Sequence, residues 1–468
     1  MKNLPLVKNN LGIRRAMRII DDVGIGIAFI IDKHGKFLGV TTDGDIRKHI
    51  IRGGSLNKDV GSITNTQPLF IRKGWSEKKI FEYLRGKRIK AFPLGSICLP
   101  IVDGDWNVVG AYHYSESLKK GKSYQEQTPS SIRRVLVIGG AGYIGSVLCR
   151  KLLKRGFTVR VLDNLTYGDQ GIAELKKLEK FELIQADMRD LQEVMESLKD
   201  VDAVIHLAAI VGDPASNVNP QKTIEINYLS TKLVAEACRY HQINRFLFAS
   251  TCSVYGTNNR QGKLVDETSK PHPISLYAEM KLKSEEALIE MMDENFSPTI
   301  FRLATVYGWS PRMRFDLVVN LMTAKAVFDN KISIFGGGQW RPLVSVNDVA
   351  EAFIAAMVSP IRDVRGEIFN LGSEEQNYTV RDIGGLVHKS IPGTRIEFTK
   401  GEDKRSYRVD FKKIRAVLKF RPKTKIGTEI RKMKNNIKVK ITDYLNPKYN
   451  NQQVLLSYNS SLKNRGLT

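Results

Sequence analysis

Residues 134–155 read RVLVIGGAGYIGSVLCRKLLKR: a β-branched apolar run, a glycine-dense turn and a helical pattern, with nothing between them. A strand that passes straight into glycines and then into a helix admits few backbones, because the turn must be tight and the helix must pack on its own strand. Gly139 suits the turn, Gly142 the close approach of a bound group, and Gly145 the helix–strand contact. The first turn of such a helix presents free N–H groups and a partial positive charge, which complement phosphate. The pattern continues, since TVRVLDN, FELIQAD, AVIHLAA and RFLFAST are apolar runs separated by helical stretches. Strands alternating with helices predict a doubly wound α/β fold, a parallel sheet covered on both faces with its ligand at the carboxyl ends of the strands. From Phe301 onward Gly and Pro punctuate less regular elements, as expected of a smaller lobe.

Composition narrows the class. With 42% hydrophobic and 26% charged residues the chain is globular. No apolar run approaches the ~20 residues of a membrane span, and the start, MKNLPLVKNN, lacks the apolar core of a signal peptide. Cys98, Cys149, Cys238 and Cys252 are scattered without paired spacing, which argues against disulfides and against a metal site. A cytoplasmic protein is expected. The net charge of +24 is uneven: +11 over residues 1–125, −1 over 126–399 and +14 over 400–468. No nucleic-acid motif accompanies it, so it is read as a solvated basic surface suited to phosphate-bearing metabolites rather than a nucleic-acid interface.

The second strand of the α/β region ends at Asp163. A carboxylate there accepts from both hydroxyls of a ribose and repels a 2′-phosphate, so NAD is expected rather than NADP. Asn164-Leu165-Thr166 adds no arginine to reverse this. Further on, Tyr277 and Lys281 stand one helical turn apart in LYAEMKLKSEEAL. A free tyrosine titrates near about 10, and an adjacent ammonium favours its phenolate, making it usable as a base. RFLFAST ends in Ser250-Thr251, whose hydroxyl is placed to relay a proton between a substrate and Tyr277.

Taken in order, GGAGYIG, HLAA at 206–209, Asn227 in NYLST, Thr251 in STCSVYG, Tyr277-x-x-x-Lys281 and FGGGQWRPLVSVNDVA resemble the extended short-chain dehydrogenase/reductase family, the NAD-dependent nucleoside-diphosphate-sugar epimerases and dehydratases. The resemblance runs over 133–435. It implies a Rossmann-type NAD-binding part mostly over 133–300, a substrate lobe mostly over 301–435 and a tail at 436–468, expected to wrap the surface or a partner subunit. It implies that Gly139, Gly142, Tyr143, Ile144, Gly145, Asp163, Asn164, Asp187, Met188, Leu207, Ala208, Ala209 and Asn227 surround NAD, with Tyr277 and Lys281 at the nicotinamide ribose. Thr251, Tyr277 and Lys281 would be catalytic, and Thr305, Arg341, Arg405 and Arg408 would meet a nucleoside-diphosphate sugar. Two places depart from the family. Cys252 and Ser253 stand where dehydratases carry an Asp-Glu pair, which disfavours loss of water, and Thr305 stands where many epimerases have asparagine. The reading is an epimerase that works through a transient keto-sugar. A 4-ketoreductase or 4,6-dehydratase on the same fold, and a non-catalytic nucleotide-sensing scaffold, are its alternatives. His206, Cys252 and Trp340 are read as packing residues.

Before the α/β region, IAFIIDKHGKFLGVTTDGDIRKHI has a weaker echo in IKAFPLGSICLPIVDGDWNVVGAYHYSESL. This repeat of about sixty residues resembles a pair of cystathionine-beta-synthase (CBS) modules over residues 1–122, an α+β domain joined by a linker at 123–132. The resemblance implies that Thr42 and Asp45 contact the ribose of an adenine nucleotide; the second copy lacks both residues. A purely structural role, as a dimerising element of a homodimer, is the competing expectation.

Overall fold

The computed structural model describes residues 4–23, 27–51, 53–84, 96–115, 132–256, 264–293, 295–401 and 405–463. The expected linker at 123–132 lies, apart from Ile132, outside the described residues. Two compact units emerge, Met1–Gln125 and Glu126–Thr468.

In the larger unit β1 (Arg134–Ile138), helix α1 (Tyr143–Lys154), β2 (Thr158–Asp163), β3 (Phe181–Gln185), β4 (Ala203–His206), β5 (Arg245–Thr251), helix α2 (Leu276–Glu290) and β6 (Ser297–Leu303) follow in chain order. The strands form one parallel sheet, β3-β2-β1-β4-β5-β6, and β7 (Ile368–Leu371) adds at the β6 edge. Their sequences explain the double cover. Along β1, Val135 and Val137 point into one apolar cluster while Leu136 and Ile138 point into another. In β5, Leu247 and Ala249 join the first and Phe246 and Phe248 the second. Both faces are therefore apolar, and each large side chain so buried contributes roughly 1.5–3 kcal/mol. Strand order reverses between β1 and β4, where Ile138 lies beside His206. This opens a crevice at their carboxyl ends.

The lobe beyond β6 contains a sheet of Thr305–Tyr307, Trp340–Ser345 and Asn377–Thr379, and a parallel pair, Lys331–Phe335 with Arg395–Thr399. It is fastened to α1 by polar contacts: the Tyr143 hydroxyl donates to Gly308 O at 2.7 Å, and Ser310 Oγ donates to Tyr143 O at 2.8 Å. The tail is helical and packs on its own chain. Helix α3 (Asn451–Lys463) starts at Asn450, whose Oδ1 accepts from Gln452 and Gln453, and Leu455 is buried in the Phe246/Phe248 cluster.

The smaller unit is built twice. Leu6–Lys8, Ile27–Ile31 and Phe37–Thr42 form a three-stranded sheet with one parallel and one antiparallel pair. Ile71–Arg72, Ser96–Val102 and Val108–Ser115 repeat that topology. Asp32 Oδ1 accepts from the N–H groups of His34 and Lys36, and Asp103 Oδ1 from those of Asp105 and Asn107. Matching positions such as Lys36 and Asn107 are 71 residues apart, longer than the repeat read from the sequence.

Candidate active site

The crevice is a cavity of about 650 Å³. At its floor Gly139 has φ +83°, and a Cβ there would lie 2.6 Å from Ala208 N. A Cβ on Gly145 would collide with the Gly139 carbonyl, so both positions are restricted to glycine by close approach. Gly142 is the N-cap of α1 and offers no side-chain cap to the first N–H groups. Tyr143, Ile144 and Gly145 of that turn line the cavity, and free first-turn N–H groups suit an anion. Leu207 and Ala208, lining the opposite wall with Ala209, are fixed by N–H bonds to Ile138 O at 2.9 and 3.0 Å. Asp163, at the end of β2, accepts from Ala141 N at 3.0 Å and Leu165 N at 2.9 Å. Burial raises its pKa despite these bonds. Asn164 reaches Asp187 at 3.4 Å, and Asp187 is paired with Arg189 at 3.0 Å beside the buried Met188.

Tyr277 and Lys281 come from α2, which Ser275 caps through Ala278 N at 3.3 Å. Both line the cavity, with only 8% and 2% of their surfaces exposed. Burial pushes the Tyr277 phenol well above its ordinary range, while the Arg314 guanidinium and a hydrogen bond with Thr251 pull it back. The expected partner Lys281 stands one turn away on the same helix, and Arg314 is a further cation that acts on the phenol. Lys281 donates to Ala249 O at 2.8 Å and lies 4.4 Å from the centre of the Phe248 ring. Burial pushes its ammonium down to about 7, opposed by Glu285. Beneath both, Glu285 is fully buried and pairs with Arg302 at 2.7 Å, and Arg302 in turn donates to the Tyr255 hydroxyl at 3.0 Å.

Thr251 ends β5 with its Oγ1 accepting from Ser253 N at 3.1 Å. Ser253 Oγ is 3.4 Å from the Tyr407 hydroxyl, and both residues line the cavity. Cys252 points away, its Sγ 3.2 Å from Arg302 O. Thr305 lines the substrate-lobe wall. Arg341 donates to Trp340 O and Arg405 O, and Arg405 pairs with Asp213 at 2.8 Å; both arginines line the cavity.

Two of the expected residues fall outside the cavity lining. Asn227 does not line the cavity; it sits in a single π-helical turn, Glu225–Leu229, and its amide brackets Ile210, accepting from the N–H at 2.8 Å and donating to the carbonyl at 2.9 Å. It therefore positions the loop after β4. Arg408 also falls outside, stacked 4.8 Å from the centre of the Trp340 ring. Arg405 and Tyr407 share the cavity side of this extended segment, which turns Arg408 away. Tyr143 lines the cavity at the start of α1, with its hydroxyl donating to Gly308 O. Conversely, Arg312, Arg314, Asp213 and Tyr407 line the cavity without having been singled out. The close pair of arginines in SPRMRFD was the available signal.

In the smaller unit Thr42 and Asp45 bond each other: Thr42 N and Oγ1 donate to Asp45 Oδ2 at 3.0 and 2.7 Å, and Asp45 N donates to Thr42 Oγ1 at 3.2 Å. This is a reciprocal cap on the helix Asp43–Ile51.

The NAD dependent epimerase/dehydratase family matches residues 135–372. The chain belongs to that family. Its cofactor is NAD, and the glycine turn, uncapped α1 and Asp163 are complementary to it. This family member also carries a CBS domain match over residues 1–52, confined to the first repeat. It is 32% identical over 317 residues to a putative UDP-glucose 4-epimerase of Methanocaldococcus jannaschii, covering 64% of this chain and 99% of that protein. It is 30% identical over 307 residues to a UDP-N-acetyl-alpha-D-glucosaminuronate decarboxylase of Bacillus cytotoxicus, covering 62% and 93%. Among solved structures, it resembles the Thermus thermophilus UDP-glucose 4-epimerase complex with NAD, with 27% identity, a TM-score of 0.58, and coverage of 66% of this chain and 100% of that one. It also resembles the UDP-glucuronic acid 4-epimerase of Bacillus cereus in complex with UDP-glucuronic acid and NAD, with 28% identity, a TM-score of 0.57 and coverage of 65% and 99%. Among the described residues no helix is long and apolar enough to cross a membrane.

Proposed function

We propose that this enzyme epimerises a nucleoside-diphosphate sugar through a transient keto-sugar. The observation that carries the reading is the cavity wall where Thr251, Ser253, Tyr277, Lys281 and Tyr407 meet without a carboxylic acid following Thr251. NAD supplies a reversible hydride acceptor. Tyr277 acts as the base toward a sugar hydroxyl, Arg314 partly offsetting the rise in its pKa that burial causes, and Thr251 relays the proton. Such a cofactor would take up and give back the same hydride, so that the epimer would form with no net redox change and one NAD would serve many turnovers. Lys281, fixed on Ala249 O, orients the ribose beside Tyr277. Arg341 and Arg405 face the substrate's diphosphate.

The replacement of the Asp-Glu pair supports isomerisation over dehydration. Cys252 is buried against a carbonyl and Ser253 is engaged with Tyr407, so neither protonates a leaving hydroxyl. The adenine-nucleotide role of the smaller unit has less behind it, because Thr42 and Asp45 are engaged with each other.

The test is incubation with UDP-glucose, UDP-glucuronic acid and dTDP-glucose, with products identified by NMR and mass spectrometry. An epimer of unchanged mass is expected from one of them. A product lighter by water or carbon dioxide would replace the reading. Tyr277→Phe should lower turnover by roughly 100-fold or more while leaving bound NAD in place; near-normal turnover would remove Tyr277 from the mechanism.

A further inference from the structure

Arg312 lines the cavity, yet only 5% of its surface is exposed. Its guanidinium lies 4.6 Å from the centre of the Tyr167 ring, and its Nη2 donates to Asn451 Oδ1 at 2.8 Å. Its Nε is buried with no hydrogen-bond partner among the described residues. The surrounding carboxylates are occupied. Asp316 takes Arg314 through two bonds of 2.9 and 2.8 Å, and each Asp163 oxygen already accepts a backbone N–H. Asp316 and Asp163 offset part of the cost of burying this guanidinium and Arg314 adds to it, but neither carboxylate hydrogen-bonds it, so an anion that did would stabilise it further.

The position of Arg312 indicates which anion. A Cβ placed on Gly171 would meet Arg312 Cβ at 2.9 Å, Ala141 O at 2.8 Å and Ser146 Cβ at 3.2 Å. The base of Arg312 therefore stands against the glycine turn and the first turn of α1. Three separate stretches of chain converge there: the turn itself, the substrate-lobe loop at 308–316, and the start of α3, whose Asn450, Asn451, Gln452 and Leu455 also line the cavity.

We propose that Arg312, held by Asn451 of the tail, forms a clasp over the phosphate-bearing adenosine half of NAD. The clasp joins the substrate-lobe loop to the tail helix across the cofactor. It gives a reaction with no net redox change a means of retaining NAD between turnovers. The inference rests on NAD lying at the glycine turn.

The test is calorimetry on the full chain, stripped of nucleotide, with ADP-ribose and adenosine as probes. Arg312→Ala should weaken ADP-ribose binding on the order of 10- to 100-fold, the range of a lost charge-assisted hydrogen bond. Asn451→Ala, which leaves the guanidinium but frees it, should weaken it by roughly 3- to 10-fold. Adenosine affinity should change in neither variant. If Arg312→Ala does not fold, Asn451→Ala decides the matter alone. Wild-type affinity for ADP-ribose in the variants overturns the clasp, and so does an equal loss for adenosine, which would indicate general damage. If the unmodified chain binds neither NAD nor ADP-ribose, the cofactor placement itself fails, a different result from either.

Discussion

Replacing Lys281 with methionine should cost activity and increase stability. In the native unit the ammonium is buried, and its pKa falls from 10.5 to about 7. Unfolded chains hold that proton up to pH 10.5, so between about 7 and 10.5 the unfolded state binds more protons than the native state. Stability therefore rises with pH through this window, and the penalty for burying Lys281 is largest below about 7. Three and a half units at about 1.4 kcal/mol each set an upper bound of roughly 4–5 kcal/mol at neutral pH. Methionine fills similar volume without the charge, but leaves Ala249 O without its donor, which returns about 1–3 kcal/mol. A net gain of at most roughly 1–4 kcal/mol remains, or about 2–8 °C in Tm. The assay is thermal unfolding of nucleotide-free native and Lys281→Met protein at pH 6.5, 8 and 9.5. The variant's advantage should be greatest at the lowest pH and shrink steadily. A variant less stable at pH 6.5, or a gap independent of pH, would refute the reasoning.

Two further substitutions probe other parts of the molecule. Glu285→Ala strands Arg302 in the core and should cost about 3–5 kcal/mol, read as a fall in Tm; a loss below about 1 kcal/mol would mean that Arg302 finds another partner. Thr42→Ala removes the reciprocal cap and should destabilise the helix Asp43–Ile51 by about 1 kcal/mol, seen as faster amide exchange there, with Thr42→Ser restoring protection. Unchanged exchange would show that the cap contributes nothing.

The parts of this molecule legible in the sequence are those where short-range chemistry dictates the backbone. Gly139, Gly142 and Gly145 occur within seven residues, and Tyr277 and Lys281 within one helical turn, so spacing alone reports their geometry. Burial, which separates the duties of Tyr277, Lys281 and Arg314, depends on what packs above them from distant segments, and no local pattern encodes it. The place of Asn227 is hidden for a related reason: a buried amide bonding a neighbouring loop and one bonding a cofactor look alike in sequence. Tail helix α3 escaped notice because its run of Asn and Gln reads as loop, while Asn450 serves as a cap and Leu455 as an anchor.

Strand β7 carries a lesson about synthesis. The sheet begins at Arg134 but acquires its last strand only at Ile368–Leu371, about halfway through the substrate lobe. Until a ribosome passes Leu371, the outer edge of β6 has no partner, and its apolar residues Ile300 and Phe301 lack the neighbours Ile368 and Phe369 that flank them in the finished sheet. A nascent chain halted near residue 300 would display an open, sticky strand of the kind that recruits chaperones or pairs with other chains. The nucleotide-binding half is thus not a transplantable module, and a graft that exchanges the sugar-binding lobe must carry β7 along with it.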